Sequence, residues 1–211
     1  MTEIKKSIQY QPTDKRLFWI MLRSEYLQWK LNRTPLWCIR KRNRLFKKLF
    51  AKIDGNPYTI LSPFHAQQGN NTYIGKNFFC NANCQIVDHA EVHIGDNVLF
   101  APNVTILTIS HSLDAEQRRV NYFDNSFEPQ KRGNLEVDAP VVIGDDVWLA
   151  TGVTVCPGVT IGSRSVIGAG SVVTRDIPEN VLAYGIPCRV VRKITDADRI
   201  KIDPEVSIHF R

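Results

Sequence analysis

Hydrophobic residues recur every six positions along the second half of the chain. From residue 143 to residue 178 the sequence divides into six consecutive hexamers: IGDDVW, LATGVT, VCPGVT, IGSRSV, IGAGSV and VTRDIP. Each hexamer opens with Ile, Leu or Val, and its fifth position holds a small or β-branched residue. A short fixed period is typical of a solenoid, in which each unit buries its apolar side only by stacking on its neighbours. An amphipathic helix is excluded, because its period is about 3.6 residues.

The same period appears earlier in the chain. Two further sets of hexamers, separated by a slip of two residues, open with Ile74, Cys80 and Ile86 and with Ile94, Phe100 and Ile106. The period stops at His111 and resumes near residue 143, and the segment between is too polar and irregular for another coil. The spacing therefore predicts a β-solenoid over residues 58–188 with an inserted loop over 112–140. Three aromatic residues of this loop suggest a lid that meets a neighbouring subunit: Tyr122, Phe123 and Phe127.

The N-terminal third of the chain follows a helical pattern instead. Apolar residues at steps of three and four predict a helix over 15–31. Thr34 followed by Pro35 suggests an N-cap and a second helix over about 36–50. Residues 1–57 are thus predicted to form a helical segment, and residues 189–211 a C-terminal strand and tail.

The charge of the chain is positive and uneven. The formal net charge is +6, and residues 40–48 hold six basic residues in nine. A solvated helix face, with the apolar residues between 45 and 50 turned to the solenoid, is the ordinary interpretation. Attraction of an anionic substrate or polymer is a second. Contact with anionic lipid is a third, because four large aromatic residues lie nearby: Phe18, Trp19, Trp29 and Trp37. Nucleic acid is not expected, since no recognised reader motif accompanies the charge.

Composition limits where the protein acts. No apolar run reaches the roughly 18 residues of a membrane-spanning helix. The N-terminus lacks the apolar core of a signal peptide, so a cytoplasmic location is expected. The five cysteines are odd in number and are better suited to small buried positions than to disulfides.

Several stretches resemble the hexapeptide-repeat acyltransferases, and most closely the galactoside and maltose O-acetyltransferases. They are NRTP (32–35), SPFH (62–65), NFFCNANCQIVD (77–88), IGDNVLFAPNVTILTISH (94–111), IGDDVWLATGV (143–153) and GAGSVVTRDIPENVLAYGIPCRVVRKI (168–194). The resemblance implies an all-β fold, a left-handed parallel β-helix with the helical segment in front of it. It also implies a homotrimer whose active sites lie between subunits. The handedness rests on the resemblance alone.

The resemblance implies acetyl transfer from acetyl-CoA to a hydroxyl of a sugar or glycan, with His111 as the general base. A neutral imidazole near physiological pH accepts the proton of a hydroxyl as its oxygen attacks the thioester carbon. The sequence leaves two alternatives open: an N-acyltransferase of the same fold acting on an amino sugar or amino acid, and a solenoid that only binds or assembles. No metal is expected, because SLDAEQRR after His111 lacks the second histidine of a carbonic-anhydrase-like zinc site.

The resemblance also implies an acceptor wall. Asn81 matches the acceptor-binding asparagine, and an amide both donates to and accepts from a sugar hydroxyl. A corner Asn that satisfies backbone groups is the alternative. Asp88 is expected in the same wall. Phe79 and Gln67 stand where the galactoside enzymes carry Tyr and Ser, and His89 replaces a second Asp. These departures suggest a changed acceptor.

For the cofactor, the resemblance implies that the backbone N–H of Thr151 stabilises the oxyanion. It assigns coenzyme A to Ala169, Thr174, Arg175, Arg189 and Arg192, although a solvated role remains open for each arginine. Trp148 is expected either to flank the cofactor arm or simply to pack.

Overall fold

The computed structural model describes residues 7–10, 15–55, 58–119 and 135–200. The chain winds into a coil with three flat sides, and each side is a sheet of parallel strands from successive turns. The first side contains β2 (Lys52–Ile53), β5 (Thr72–Ile74), β8 (Val92–Ile94), β13 (Val141–Ile143) and β16 (Thr160–Ile161). The third side contains β4 (Phe64–Ala66), β7 (Cys84–Val87), β10 (Thr105–Leu107), β15 (Thr154–Val155) and β18 (Val172–Val173). The predicted parallel β-helix is confirmed.

The second side is longer. It contains β3 (Thr59–Ile60), β6 (Phe79–Cys80), β9 (Leu99–Phe100), β14 (Trp148–Leu149), β17 (Val166–Ile167), β19 (Val181–Gly185) and β20 (Cys188–Lys193). β20 runs antiparallel to β19 and ends the sheet. A short 3₁₀ turn at Asp196–Asp198 follows. We call the bend from first to second side the first corner, from second to third the second corner, and from third back to first the third corner.

The residues that open the hexamers point inward and stack in register. On the second side the buried column is Ile60, Cys80, Phe100, Leu149, Ile167 and Ala183. Ile74, Ile94 and Ile143 align in the same way on the first side. These columns form one continuous apolar core, so the six-residue period is the repeat of a buried position.

The first corner explains the small and amide residues of the repeats. Asn77, Asn97 and Asp146 each have φ between 55° and 58°, a left-handed conformation that Asn and Asp tolerate better than most residues. A Cβ on Gly95 would lie 2.8 Å from the backbone nitrogen of Asp145 in the next coil, so the coils approach too closely there for a side chain.

Two helices cover the first coil: α1 (Lys15–Asn32) and α2 (Ile39–Leu49). The second helix starts later than predicted, because the Thr34 hydroxyl donates to the Lys30 carbonyl and closes α1 instead of capping α2. The buried Arg42 guanidinium donates to the carbonyls of Leu31, Thr34 and Ile60 and joins both helices to the coil. The expected apolar face of α2 is buried at Leu45, Phe46, Leu49 and Phe50. The first solenoid strand begins at residue 52, before the predicted boundary at 58.

The insertion leaves the coil at the third corner. Its described parts include β11 (Ile109–His111) and β12 (Leu135–Asp138), which pair with each other in antiparallel orientation. The N-terminal strand β1 (Ser7–Tyr10) pairs with the other edge of β12. The aromatic residues of the predicted lid lie outside the described residues. In the described part of the chain, no helix combines the length and apolar character needed to cross a membrane.

Candidate active site

The predicted site residues lie on two different corners of the coil. The third corner holds Gln67 and Asp88 in the first two coils. In the next coil the strand that ends at His111 leaves this corner. Thr174 and Arg175 lie on the same corner in a later coil. The second corner holds a separate set: Asn81, Thr151 and Ala169. Between the two corners runs the third side, whose strand β7 has four residues and therefore spans roughly 13 Å.

His111 is exposed at the end of β11, outside the coil. Its backbone pairs with Glu136 across the antiparallel ladder, so β12 fixes where the imidazole leaves the backbone. β11 contains only three residues, and its neighbour β12 is held in turn by β1. The candidate base thus stands on a small sheet attached to the third corner.

A buried group of acidic residues and an imidazole lies beside His111. Glu136 and Asp138 are buried, and Nδ1 of the buried His89 lies 3.8 Å from Oε2 of Glu136. Burial raises the pKa of Asp138, while positive charge on His89 and on His111 acts in the opposite direction. Neither carboxylate oxygen of Asp138 accepts a hydrogen bond from the described residues. Negative charge here would stabilise the imidazolium that forms when His111 takes a proton.

Asp88 does not belong to an exposed acceptor wall. It is fully buried, and its carboxylate accepts hydrogen bonds from the backbone N–H groups of Gln68, Gly69 and Asn71 and from the Thr72 hydroxyl, at 2.9–3.3 Å. The three backbone donors belong to the third corner of the preceding coil, and Thr72 opens the strand that follows it. The predicted sugar contact at Asp88 is therefore corrected, because all of these bonds hold that turn in place. His89, the predicted departure beside it, is likewise turned inward to Glu136.

Gln67 faces an open cavity of about 370 Å³ between the third side and α1. The lining is mostly polar: Met21, Glu25, Gln28, His65, Gln67 and Gln85. Amide, imidazole and carboxylate groups suit sugar hydroxyls. The role expected for Gln67 stays a prediction, and His65 lines the same cavity.

The second corner offers unpaired backbone donors. At Ala150 and Gly152 the N–H groups donate to the carbonyls of Ile167 and Pro102, both at 2.9 Å. The N–H of Thr151 between them, and that of Ala169 one coil further on, donate to none of the described residues. Thr151 and Ala169 are both exposed. Stacked coils lie about 4.8 Å apart, so this corner presents two donors suited to an oxyanion and to a cofactor amide.

Asn81 lies on the same corner two coils earlier. Its side-chain oxygen accepts a hydrogen bond from the N–H of Ala82 at 2.8 Å, which orients the amide nitrogen. Asn83 in the same turn has a φ of 62° and shapes the corner backbone. Asn81 therefore satisfies a backbone group of the corner, as the structural alternative requires, and because it is also partly exposed its acceptor-binding role stays a prediction.

The second side carries an apolar outer column beside this corner. Phe79 pairs with Leu99, which pairs with Trp148, which pairs with Val166. Trp148 and Leu99 are about half exposed. An exposed apolar column of this kind suits either a cofactor arm or a neighbouring subunit.

The predicted cofactor cations differ in their surroundings. Thr174, Arg175 and Arg189 are exposed. Arg192 instead holds Asp198 through two bonds of 2.5 and 2.7 Å, and this pairing, with the Thr195 backbone, lowers the pKa of Asp198 to about 2. The positive charge of Arg192 is therefore already balanced by Asp198, and a phosphate would have to compete with that carboxylate for the guanidinium.

Sequence reasoning missed Glu136, Asp138 and the inward turn of His89. A signal was present in NLEVDAP (134–140), where two acidic residues alternate just before the hexamers resume. Alternation predicts that both point to the same face of a strand. Within the described residues, no group of three His, Cys, Asp or Glu side chains is placed to hold a metal ion.

Comparison with known proteins gives consistent matches. Residues 140–175 match the family described as bacterial transferase hexapeptide (six repeats). Galactoside O-acetyltransferase of Escherichia coli (strain K12) is 43% identical over 84% of this chain and 81% of its own length. The enzyme of the same name from Lactococcus lactis subsp. lactis (strain IL1403) is 40% identical over 90% of this chain and 85% of its own length.

Solved structures agree with the sequence matches. A maltose O-acetyltransferase from Clostridium difficile 630 superposes with a TM-score of 0.80 at 36% identity, covering 92% of this chain and 95% of that one. A galactoside acetyltransferase in complex with coenzyme A superposes with a TM-score of 0.79 at 39% identity, covering 92% and 90%. The similarity thus spans both the helical segment and the solenoid.

Proposed function

The chain belongs to the hexapeptide-repeat acetyltransferases, and we propose that it transfers the acetyl group of acetyl-CoA to a hydroxyl of a sugar or glycan, with His111 as the general base. Two relatives, at 43% and 40% identity, are named galactoside O-acetyltransferases, which supports an acetyl-CoA-dependent O-acetyltransferase. The single observation that carries the role of His111 is its exposed position beside a buried acidic group at the corner where the insertion begins.

The reaction needs one proton transfer in each direction. The imidazole of His111 takes the proton of the acceptor hydroxyl while the hydroxyl oxygen attacks the carbonyl carbon of the acetyl thioester. The tetrahedral intermediate places negative charge on the former carbonyl oxygen, and the N–H of Thr151 donates a hydrogen bond to it. The carbon–sulfur bond then breaks, and the imidazolium returns the proton to the departing thiolate. The products are an acetyl ester and free coenzyme A.

A site between subunits follows from the two corners. An imidazole and an amide that bind one hydroxyl must both lie about 3 Å from it. The second and third corners of one coil are separated by the roughly 13 Å of β7. We therefore propose a homotrimer in which the third corner of one subunit faces the second corner of the next. The apolar outer column with Trp148 supports this packing.

The test is thiol release from acetyl-CoA with a panel of monosaccharides, oligosaccharides, amino sugars and amino acids. His111→Ala is expected to lower kcat for a hydroxyl acceptor by two to four orders of magnitude with little change in the KM for acetyl-CoA. His93→Ala is the matched control, because that half-exposed imidazole lies on the first side, where it stacks on Tyr73 and contacts Glu91.

Three results would contradict the proposal. Release only with amines would assign the chain to N-acyl transfer. Sugar-dependent release that persists in His111→Ala would exclude the base. Release that falls equally in His93→Ala would indicate a general loss of structure.

A further inference from the structure

Helix α1 is apolar on two opposite faces. One face packs on the first coil, where Leu27 and Leu31 are buried. The opposite face is formed by Phe18, Leu22, Tyr26 and Trp29, spaced by three and four residues and all exposed, with Phe18 at 61%. A surface helix normally has a single apolar stripe facing the core, so a second stripe indicates a second contact. None of the described residues covers this outer face.

The turn between the helices also exposes large apolar side chains. Leu36, Trp37 and Ile39 are exposed at 52%, 82% and 63%. Three large apolar side chains within four residues are costly to hold in water, and monomeric proteins rarely display such a cluster without using it. We call the outer face of α1 together with this turn the helical face.

Positive charge is concentrated on the same segment. Residues 15–50 contain eleven Lys and Arg and one acidic residue, Glu25, so they carry +10; because the whole chain carries +6, the remaining residues carry −4. Five of these cations form the exposed side of α2: Arg40, Lys41, Arg44, Lys47 and Lys48.

Cations and aromatic rings are interleaved on the helical face. Nζ of Lys30 lies 4.2 Å from the ring centroid of Tyr26, and the guanidinium carbon of Arg33 lies 4.5 Å from that of Trp29. Long basic side chains lie along apolar surface while their charged ends remain free for anions. The face therefore combines insertable apolar groups with charges at their edge.

We propose that the helical face docks on an anionic lipid bilayer. Aromatic and aliphatic side chains enter the boundary between headgroups and acyl chains, while flanking Lys and Arg attract anionic headgroups. A two-fold contact between copies fits poorly, because it would bring two segments of +10 together. An anionic glycan or nucleic acid would use the cations but would leave Leu22, Leu36 and Ile39 in water. The proposal does not depend on acetyl transfer.

The experiment is co-sedimentation of the full chain with vesicles. Neutral vesicles contain phosphatidylcholine alone, and anionic vesicles contain roughly one third phosphatidylglycerol. Binding to the anionic vesicles is expected to be at least about tenfold tighter and to weaken as salt rises, since the headgroup attraction is screened. Light scattering without lipid and thermal melting confirm that each variant keeps its assembly and fold.

Two variants separate the charged and apolar contributions. Arg40→Gln/Lys41→Gln/Arg44→Gln removes three cations and is expected to weaken binding on the order of 100-fold, at about fivefold for each cation. Its matched control, Lys76→Gln/Arg164→Gln/Lys193→Gln, removes the same charge from exposed positions on the solenoid. Trp37→Ala/Ile39→Ala is expected to weaken binding by at least about tenfold. The 86% exposed Ile200 supplies its control, Ile200→Ala.

The proposal fails under any of five results, of which the last is the binding of another polyanion. The first is no binding to anionic vesicles near physiological salt. The second is equal binding to neutral and anionic vesicles. The third is a loss of vesicle binding that is equally large in the control variants. The fourth is a change of oligomeric mass in Trp37→Ala/Ile39→Ala without a change in lipid binding, which would make the face a contact between subunits. Tight binding of RNA or an anionic polysaccharide that ignores Trp37 would assign the cations to that ligand instead.

Discussion

Two inactive variants should restore activity when their subunits are mixed. His111 lies on the third corner and Asn81 on the second, and the third side separates these corners by roughly 13 Å in one chain. If each site takes its imidazole from one subunit and its amide from the next, His111→Ala and Asn81→Ala damage opposite halves of the site. A mixed interface then contains one intact half from each variant.

The expected recovery follows from counting interfaces. In a ring assembled at random from equal amounts of the two variants, each interface needs an intact His111 on one side and an intact Asn81 on the other. Each condition holds with probability one half, so about one quarter of the sites are complete. Activity should therefore reach about 25% of wild type, whereas each variant alone is expected to retain about 1% or less.

The assay compares co-expressed variants with the same two proteins purified apart and mixed just before the thiol-release measurement. Exchange of subunits is needed for recovery, so the freshly mixed sample serves as the control. Thermal melting of each variant confirms that loss of activity reflects the site and not the fold, because Asn81 also accepts a hydrogen bond from Ala82. Recovery no greater than the sum of the separate variants would refute a shared site.

Three further predictions concern stability. Phe100→Ala should lower the free energy of unfolding by about 3–5 kcal/mol, because the ring is fully buried edge-on to Phe78 at 5.1 Å; chemical denaturation showing less than about 1 kcal/mol would contradict this packing. Asp88→Ala should cost on the order of 3 kcal/mol by leaving donors of the neighbouring coil unpaired, and an unchanged melting temperature would contradict it. Asp138→Asn should have a higher melting temperature than wild type at pH 7. The raised pKa of Asp138 contributes stability that is complete below the unfolded pKa of 3.8 and is lost as pH rises through the folded pKa. The difference in melting temperature should therefore vanish in acid, where Asp138 is neutral like Asn.

The sequence alone predicts the architecture, because its signal is local. Every hexamer repeats the same requirement for one buried residue, and the positions that open the hexamers are those that stack in register, as Phe100 does between Cys80 and Leu149. No contact distant in sequence has to be known. The fold class was therefore readable from the period.

Local signals misplace features that depend on tertiary contacts. Thr34 followed by Pro35 has the appearance of a helix start, yet its hydroxyl closes the preceding helix while Arg42 binds its carbonyl. Asp88 carries a carboxylate of the kind that binds sugar hydroxyls, yet hydrogen-bond donors around the turn of the preceding coil surround it. In both cases the deciding partner lies on another element, and a single residue type does not identify it.

The two-residue slip in the hexamer pattern marks the corner that carries the proposed base. Eight residues separate Ala66 from Ile74 and Ile86 from Ile94 across the third corner, whereas six separate successive buried positions on the other corners of these coils. The next turn at this corner is the insertion itself. A stacked coil accepts extra residues only where they leave the flat sides in register, so additions accumulate at a corner. Gln67 and His111 both lie on these lengthened turns, which project from a solenoid whose sides stay flat.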